Sequence, residues 1–485
     1  VVAVWGFRFV PQMYFPDSSR TQFMIDYWMA QGTRIEEVSD NLRHLEKELL
    51  AQEGVESVSA FIGGGPPRFY LPVDPEDSYA SYGQLIVDTR TLNDVDTVMA
   101  YIEPWAQENM PEALMVRVRK YGVGAFDDWK IEARFSGPAE AGPEVLRGLA
   151  EQGMEILRAT PMAKDVSTDW QQKVRRLVPE YNQERGRWAG VTRDEIASTT
   201  KRAFDGVPVG QYREGDDLIP IVIRQPQQER QRAAVDMEVL QVVPNLSTDT
   251  VPLSQVTDGI SIEWEDPLIW RWDRRRAITV QSSVNGVTAP TLRAAILADF
   301  EAIELPPGYT LEWDGEYNSS KESQEALIPG IVPTVVIMMF IIVVLFNAFR
   351  PPVIIFAVIP FVLIGITFGL MVTQVPFGFI ALLGAMSLSG MMIKNAVVLL
   401  DQVNLNLAEG MSMYQAVVEA AVSRLRPVIN AAATTVFGMA PLLQDVFWIS
   451  MAVTIMFGLA FGTILTMLLV PVLYATLYRI PAEGA

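Results

Sequence analysis

Hydrophobic residues fill the last third of the chain in four long runs that contain no charged side chain. The runs span residues 326–349, 351–393, 427–444 and 446–478. A helix needs about 20 apolar residues to cross a bilayer. The second run is long enough for two such helices and is interrupted by polar and turn-forming residues at 373–378. The pattern therefore predicts five membrane helices within 327–480.

Before these runs, short stretches of strand-like hydrophobicity alternate with amphipathic helical stretches. Strands are predicted at 22–28, 55–62, 85–88 and 114–121, and helices at 34–52 and 92–107. This strand–helix–strand order, repeated once, is typical of the ferredoxin-like split βαβ fold. A second copy is predicted from strands at 129–135, 277–283 and 309–313 and helices at 143–159 and 289–302. A polar, short-stranded insertion at 202–273 separates its two parts.

Charge and composition narrow the classes of function. The chain has 485 residues, no cysteine, one histidine and a formal net charge of −19, all of it carried before residue 327. An acidic surface of this size argues against nucleic acid as a partner. The lack of cysteine excludes disulfides and thiolate catalysis, and a single histidine excludes imidazole clusters. No GxxxxGK[ST] loop is present, which argues against ATP as fuel. We expect no cofactor and no resident metal.

The loops between the predicted spans indicate an orientation. The arginines Arg350, Arg424, Arg426 and Arg479 lie on one side of the membrane. The loops on the other side contain no Lys or Arg, and their one charged residue is Asp445. The positive-inside rule places the arginine side in the cytoplasm and the large part before residue 326 outside it. For a bacterial inner membrane that outside is the periplasm. We interpret the apolar residues 1–10 as the end of a truncated membrane helix, so that the chain is half of a longer protein.

A single lysine, Lys394, lies within the third predicted span. Ser387, Lys394 and Asp401 are seven residues apart and therefore share one helix face, with Asn395 beside the lysine. An ammonium at membrane depth costs about 2.5 kcal/mol or more and indicates a functional site. Three interpretations are open: a proton-relay partner of buried carboxylates, a structural ion pair, or a side chain that reaches the interface. The runs hold no buried carboxylate opposite Lys394, so a relay needs carboxylates from outside this chain.

A glycine- and proline-rich segment separates the first two strand–helix–strand units. Three glycines allow unusual backbone angles, two prolines stiffen the residues after them, and aromatic residues lie at both ends. One interpretation is a mobile flap on an apolar substrate pocket, and the other is an ordinary connection with core aromatics. The candidate pocket residues are Phe61, Gly63, Gly64, Gly65, Phe69 and Tyr70.

Several motifs resemble those of the resistance–nodulation–division (RND) efflux pumps. They are Phe15-Pro-Asp17, Val55-Glu-Ser-Val58, Gly390-Met-Met-Ile-Lys-Asn-Ala-Val-Val-Leu-Leu-Asp401, Glu409-Gly-Met-Ser412, Arg424-Leu-Arg-Pro427, Gly438-Met-Ala-Pro-Leu442 and Leu469-Val-Pro-Val-Leu473. Their spacing is similar to that of the family from end to end. The chain resembles the C-terminal half of an inner-membrane multidrug/proton antiporter of the hydrophobe/amphiphile type.

The resemblance implies a transporter and not an enzyme. It implies half of a proton-motive-force-driven pump that exports small hydrophobic or amphiphilic compounds, such as drugs, detergents or bile-salt-like molecules, and so confers antibiotic resistance. The implied partners are an N-terminal half that carries an acidic pair, two further copies in a homotrimer, membrane lipids, a periplasmic adaptor protein and an outer-membrane channel.

The predicted fold class is an α+β membrane protein of the bacterial inner membrane. Periplasmic ferredoxin-like repeats form porter subdomains with a β-rich docking insertion, and a five-helix transmembrane bundle comes after them. The implied boundaries are 11–128 for the first porter subdomain, 129–201 with 274–326 for the second, 202–273 for the docking subdomain and 327–480 for the bundle.

The resemblance also implies roles for individual residues. Lys394 matches the relay lysine that pairs with two aspartates of the other half, with Asn395 beside it, and Arg424 matches an arginine near the cytoplasmic proton path. Ala431 stands where many members have threonine, so Thr434 or Thr435 is the candidate replacement. The segment Gly63–Tyr70 matches the switch loop beside the substrate pocket, although its Gly-Gly-Gly-Pro-Pro sequence departs from the Phe/Gly alternation of drug pumps.

Two other functions remain open beside drug export, and one segment has a predicted mechanical role. A metal-ion exporter could use methionines such as Met24 and Met29, although a soft-metal site needs three converging thioethers. A non-transporting assembly or lipid-handling scaffold would leave Lys394 with a structural role only. If the chain is a pump, the sequence Pro329-Gly-Ile-Val-Pro333 is predicted to be a helix-loosening joint between the porter subdomains and the membrane.

Overall fold

The computed structural model describes residues 2–125, 128–226, 228, 230, 236–244 and 249–481. The chain forms two units. One comprises Val1–Gln171 together with Leu268–Ala485, and the other comprises Gln172–Pro267. The first unit begins with the short helix α1, Val2–Phe7, and holds two β-sheets and the apolar helices.

The first sheet has four antiparallel strands in the spatial order β2-β3-β1-β4. Its elements are β1 Gln22–Met29, α2 Ile35–Leu50, β2 Val55–Ile62, β3 Tyr82–Thr89, α3 Leu92–Asn109 and β4 Ala113–Lys120. Buried residues of α2 recur every three or four positions, from Val38 to Leu49, and pack with Phe23 and Ile25 of β1. The two helices therefore cover one face of the sheet, and the other face is left for the loop between β2 and β3.

The second sheet is built from two stretches of chain on either side of an insertion. The first stretch holds β5 Ile131–Ser136, α4 Pro143–Arg158 and β6 Ala163–Thr168. The insertion holds β7 Val174–Tyr181, α5 Gln183–Ala189, α6 Arg193–Phe204, β8 Val207–Glu214, β9 Asp217–Ile223, a 3-10 turn at Met237–Val239, β10 Gln241–Val242, β11 Val251–Pro252, α7 Leu253–Val256 and β12 Thr257–Glu265. The second stretch holds β13 Arg271–Trp272, β14 Arg275–Val284, α8 Ala289–Glu301 and β15 Thr310–Asp314.

The second sheet repeats the topology of the first. Its strands run β6-β14-β5-β15, all antiparallel, and β13 pairs with the start of β14. Helices α4 and α8 bury Leu146, Leu157 and Phe300 against Phe135 and Trp170. Strand β6 was not predicted, because Lys164, Asp165 and Ser167 hide the alternation that marks a half-buried strand.

The inserted unit starts earlier than the sequence indicated. We expected an insertion at 202–273, whereas the separate unit is Gln172–Pro267. The reason is that β7 pairs antiparallel with β12 of the same unit, from Val174↔Glu265 to Tyr181↔Thr257. Residues 172–201, expected in the second porter subdomain, thus belong to the insertion. Residues 268–273 belong to the first unit, because β13 pairs with β14.

The last third of the chain is helical, as the hydrophobic runs predicted. Its helices are α9 Glu316–Phe346, α10 Arg350–Val358, α11 Val362–Thr373, α12 Phe379–Ala408, α13 Met413–Met439 and α14 Ile449–Leu477, with 3-10 turns at Ile359–Phe361 and Ala440–Gln444. Among the described residues, four helices are long and apolar enough to cross a membrane: α9, Arg350–Thr373, α12 and α14. The predicted span at 427–444 is not among these four. It falls within α13 and the turn after it.

Helix α13 begins well before the predicted span at 427–444. The Ser412 hydroxyl caps its start by accepting the Gln415 backbone N–H at 3.3 Å. The helix then continues without a break through Pro427 to Met439. The predicted joint at 329–333 likewise lies within the continuous helix α9.

Glycines allow the apolar helices to pack closely. A Cβ on Gly365 would lie 2.6 Å from the Phe457 carbonyl oxygen, and one on Gly458 would lie 2.2 Å from the Leu388 side chain. The glycine pairs Gly365–Gly369 of α11 and Gly458–Gly462 of α14, each four residues apart, therefore join α11, α12 and α14. Helix α9 is different, because only 6% of its most apolar stretch is buried, against 56% for α14.

Candidate functional site

The predicted polar stripe lies along the exposed face of α12. Ser387, Lys394 and Asp401 are all exposed, whereas Leu388, Met392 and Ala396 are buried against the other helices. Among the described residues, no carboxylate lies within ion-pair distance of the Lys394 ammonium. The lysine therefore points away from the helices of this chain, and the prediction that its carboxylate partners belong to another segment stays a prediction.

Arg424 is held by a chain of hydrogen bonds between α12 and α13. Its guanidinium donates twice to the Gln402 side-chain oxygen, at 3.0 and 2.5 Å. The Gln402 amide donates to Asn406 at 2.7 Å, and the buried Asn406 amide donates to the Ala416 carbonyl at 3.0 Å. This network fixes the arginine relative to the helix that carries Lys394. Gln402 lies eight residues after Lys394, about 12 Å further along the helix axis.

Gln402 and Asn406 were not among the predicted site residues. A signal was available, because two amide side chains four residues apart share one face of an otherwise apolar helix. Their partner could not be identified from the sequence, since it depends on how α12 and α13 cross.

The other two predicted relay residues are Asn395, next to Lys394 in the chain, and Thr434 of α13. Asn395 is buried, and the Thr434 hydroxyl donates to the Asn430 carbonyl of its own helix at 2.8 Å. Thr435 makes the same kind of bond with the carbonyl of Ala431, at 3.0 Å. Within the part of the chain that the structure describes, no hydrogen bond or ion pair joins any two of Lys394, Asn395, Arg424 and Thr434. The four residues do not form one cluster in this chain.

The glycine- and proline-rich segment forms a loop over the open face of the first sheet. Gly63, with a φ of +81°, closes the base of the loop: its N–H donates to the Tyr82 carbonyl at 2.8 Å, and its carbonyl accepts the Tyr79 N–H at 3.1 Å. Gly65 is required by close approach, because a Cβ there would lie 2.9 Å from the Glu76 backbone nitrogen. Gly64 lies between these two glycines and beside Ser78.

The aromatic residues of the loop region have different environments. Tyr70 packs with Met24, Val73 and Tyr121, and its hydroxyl donates to the Gly122 carbonyl at 2.9 Å. Phe69 is 50% exposed at the edge of this cluster. Phe61 belongs to β2, where its backbone is paired with β3. The structure thus brings Tyr70 and Phe69 together at Tyr121 and places Phe61 on a strand outside that cluster.

A buried ionic cluster that the sequence analysis missed lies on the same face of the sheet. Asp26 of β1 is 2% exposed and accepts hydrogen bonds from Tyr82 at 2.9 Å, Gln84 at 2.6 Å and Arg119 at 2.7 Å. Arg117 lies 3.7 Å from the same carboxylate. Burial by itself raises the pKa of Asp26, but the two guanidinium groups outweigh burial and hold that pKa below its ordinary value.

A second carboxyl group, Glu76, approaches this cluster from the loop. Burial raises the pKa of Glu76 to about 7, and the nearby carboxylates of Asp26 and Asp128 add to the rise, against the guanidiniums of Arg119 and Arg117. The loop therefore carries a carboxyl group that takes up a proton near neutral pH, directly over the ionic cluster.

The two methionines considered for a soft-metal site do not converge. Met24 lies on the loop side of the first sheet with Val73 and Tyr121, whereas Met29 lies in the core on the helix side, 3.4 Å from the Asn41 amide. Within the described ranges, no group of three His, Cys, Asp or Glu side chains is placed to hold a metal ion.

Comparison with known proteins gives a consistent result. A family model described as the AcrB/AcrD/AcrF family matches residues 1–478. The cobalt-zinc-cadmium resistance protein CzcA of Cupriavidus metallidurans is 25% identical over 356 residues, which cover 69% of this chain and 32% of that protein. The nickel and cobalt resistance protein CnrA of the same organism is 24% identical over 508 residues, covering 97% of this chain and 45% of that protein.

A solved structure has the same fold. The crystal structure of a heavy metal efflux pump, crystal form I, aligns with a TM-score of 0.79 and 18% sequence identity, over 100% of this chain and 49% of that chain. The chain thus spans about half, or less, of the length of the proteins it matches.

Proposed function

The chain belongs to the AcrB/AcrD/AcrF family of RND transporters, and from this membership we propose that it is the C-terminal half of a proton-driven exporter of divalent metal cations. Proteins of this family are transporters and not enzymes. The proposed substrate rests on the names of two relatives. One is a cobalt-zinc-cadmium resistance protein and the other is a nickel and cobalt resistance protein. They favour metal export over the expected export of drugs and other hydrophobic compounds.

The chemistry of the chain limits how it would contact a metal cation. It has no cysteine and one histidine, and Met24 and Met29 lie on opposite faces of β1. Contacts from this half would therefore come from oxygen atoms of Asp, Glu and backbone carbonyls, or from methionine thioethers other than a Met24–Met29 pair. We assign the loop Gly63–Tyr70 to the switch loop beside the substrate path, with Phe61, Phe69 and Tyr70 at its borders.

Lys394 is proposed to be the relay lysine of the proton path. Its position on the face of α12 that this chain leaves exposed supports the proposal, because an acidic pair from the N-terminal half could reach it there. Protonation of that pair would release the ammonium and shift α12. Arg424, with Gln402 and Asn406, would hold the end of the path, and Asn395 and Thr434 would line it.

We propose the following architecture for the assembled protein. The two sheets with their helices are ferredoxin-like porter subdomains in the periplasm, the inserted unit is the docking subdomain, and residues 1–10 end a preceding membrane helix. Five helices within 327–480, α13 among them, cross the bacterial inner membrane. Three copies, each completed by an N-terminal half, would work with an adaptor protein and an outer-membrane channel.

Transport by the complete protein in liposomes tests this function. With Co²⁺ as the probe, an imposed pH gradient should drive cobalt across the membrane, and Lys394→Gln should reduce that movement to the level of empty liposomes. Lys321→Gln, which removes an exposed lysine of α9, is the control and should transport normally.

Three results would contradict the proposal. Movement of a hydrophobic cationic dye but not of Co²⁺ would restore the drug-export interpretation. No transport of either probe, without any proton flux, would favour a scaffold. Full cobalt transport by Lys394→Gln would remove the lysine from the mechanism.

A further inference from the structure

A buried carboxylate, Glu316, lies where the second sheet passes into the apolar helices. It is 4% exposed and is the first residue of α9, one residue after the glycine that follows β15. Its two oxygens have different partners. Oε1 accepts the backbone N–H of Tyr14 at 2.9 Å, and Oε2 lies 3.3 Å from the ammonium of Lys130, just before β5.

Gly315 fixes the start of α9 against the second sheet. Its φ of +66° and ψ of −146° are open to glycine but strained for other residues. A Cβ at this position would also lie 2.9 Å from the carbonyl oxygen of Trp129. The turn before Glu316 is therefore pressed against the segment that leads into β5, and α9 begins as a direct continuation of the sheet.

The residues on the other side of Glu316 are attached to the start of α12. Tyr14 donates from its backbone to Glu316, and its hydroxyl lies 2.6 Å from the Ser323 hydroxyl of α9. The neighbouring Met13 N–H donates to the Phe377 carbonyl at 3.2 Å, and the Phe377 N–H donates to the Pro11 carbonyl at 2.8 Å. Residues 11–14 thus form a short bridge between α9 and the first residues of the Lys394 helix.

Apolar contacts make this bridge a packed joint. Tyr14 and Phe15 are buried with Ile380 of α12, and Phe15 stacks on Phe447 just before α14, with ring centroids 6.0 Å apart. Gly378 is pressed against the bridge, since a Cβ there would lie 2.5 Å from the Met13 carbonyl oxygen. A displacement of the start of α12 therefore cannot leave residues 11–14 in place.

We infer that Glu316 is a positioning residue that passes movement of the Lys394 helix to the second sheet. The route runs from α12 to the bridge at residues 11–14, then to the Glu316 carboxylate, and from there to Lys130 and β15. This inference rests on the proposed proton-driven function. An ion pair between a buried carboxylate and a half-buried ammonium suits the role, because its energy depends steeply on geometry and it resists sliding more than apolar contacts do.

Glu316→Gln in the complete transporter tests the inference. Glutamine has the same size and keeps an oxygen acceptor for the Tyr14 N–H, but it removes the negative charge that faces Lys130. With Co²⁺ and an imposed pH gradient, we expect transport to fall roughly three- to tenfold, the range expected for changes along a coupling route. The control is Glu325→Gln, which removes an exposed carboxylate from the same helix and should not alter transport.

Hydrogen–deuterium exchange separates coupling from a merely structural role. In the unmodified transporter, a change from neutral to acidic pH should alter protection, that is exchange corrected for the intrinsic effect of pH on amide exchange, both at 377–383, the start of α12, and at 310–314, which forms β15. In Glu316→Gln the first region should still respond to pH, while the response of the second should be lost. A structural anchor alone would raise exchange equally at both pH values and leave both responses in place.

The outcomes distinguish the two proposals. Normal transport by Glu316→Gln, or an unchanged response of β15 to pH, overturns the role of Glu316 and leaves the proposed function standing. Absence of any pH response at the start of α12 in the unmodified transporter contradicts the proposed function, and this inference falls with it. The double variant Glu316→Gln with Lys130→Gln should be no worse than the single one if the two charges act as a unit.

Discussion

At the scale of single residues, the protein concentrates buried charge beneath the glycine-rich loop. Asp26 is surrounded by donors from two neighbouring strands, Tyr82 and Gln84 on β3 and Arg119 on β4. Asp26 could not be predicted as a site residue, because its hydrogen-bond partners are 56 to 93 residues away along the chain. A single charged residue in a strand pattern does not reveal which strand lies beside it.

Replacing Asp26 with Asn should destabilise the protein by about 3–5 kcal/mol, the cost of leaving one partner of a buried ion pair uncompensated. The amide cannot neutralise Arg117 and Arg119, and its N–H groups would face their donors. The measurement is the thermal unfolding midpoint of the complete protein in detergent. Asp40→Asn, which removes an exposed carboxylate paired with Arg43, should leave the midpoint unchanged. Equal midpoints for the two variants would contradict the role assigned to Asp26.

Glu76 should make the loop tighter at acidic pH. Its pKa in the folded protein is about 7, above the ordinary 4.5, so the folded state binds the proton more tightly than the unfolded state. Proton binding by Glu76 therefore stabilises the folded loop fully below about pH 4.5, and this stabilisation is lost as the pH rises to about 7. Protease cleavage within 63–81 should become severalfold faster over that range.

Glu76→Gln, which keeps the side chain neutral, should abolish this pH dependence and slow cleavage at neutral pH. Asp77→Asn, a change at an exposed neighbour in the same loop, should keep it. If the cleavage rate of Glu76→Gln still depends on pH, a group other than Glu76 is responsible for the dependence.

At the scale of elements, the hydrophobic pattern predicted the strands and helices of both sheets to within a few residues, except β6 and the two-residue strand β13. It also predicted helices throughout the last third. The hydrophobic pattern could not show where two predicted segments form one helix. A separate span was expected to begin at Pro427, but α13 continues through this residue. Neighbouring helices can compensate for the hydrogen bond that proline removes. The start of the insertion was misplaced for a similar reason, since β7 is assigned by its pairing with β12 and not by its own sequence.

Close helix packing makes Gly365 sensitive to any side chain. Gly365→Ala would place a methyl group 2.6 Å from the Phe457 carbonyl oxygen and 2.8 Å from the Phe461 Cβ, and backbone atoms cannot move aside cheaply. We expect a loss of about 1–3 kcal/mol in stability, measured as a lower unfolding midpoint in detergent. Gly438→Ala is the matched control, because among the described residues no atom outside the adjoining backbone of its own helix lies within 4 Å of the added carbon. A similar loss in both variants would indicate that helix propensity, and not packing, decides the effect.

At the scale of the whole molecule, the described chain leaves the polar face of α12 and most of α9 uncovered. The sequence indicated the polar face, since residues seven apart share a side of a helix. It could not show that this side points away from the other helices, which depends on the packing of α11, α12 and α14. The candidate site was therefore predicted as a set of residues, while its arrangement needed the structure.

Labelling can show whether another segment covers this face in the complete protein. The chain has no cysteine, so one cysteine introduced into it can be followed as a unique peptide by mass spectrometry. Ser387→Cys lies on the polar face and Ser59→Cys on a strand of the first sheet, and both serines are exposed in this chain. We expect a maleimide to react much more slowly at position 387 than at position 59. Equal rates would mean that the polar face of α12 stays open to water.

The strands on either side of the insertion, β6 and β14, are hydrogen-bonded neighbours. The chain leaves and re-enters the sheet at nearly the same place, where the Trp270 indole N–H donates to the Asp169 carbonyl at 3.2 Å. The pairing of β6 with β14 therefore does not depend on the length of the inserted segment, just as the two strands of a hairpin can pair across turns of different length. Evolution or an engineer could shorten, lengthen or replace residues 172–267 without redesigning the core that carries them, so the part of the molecule assigned to docking is free to diversify faster than its support.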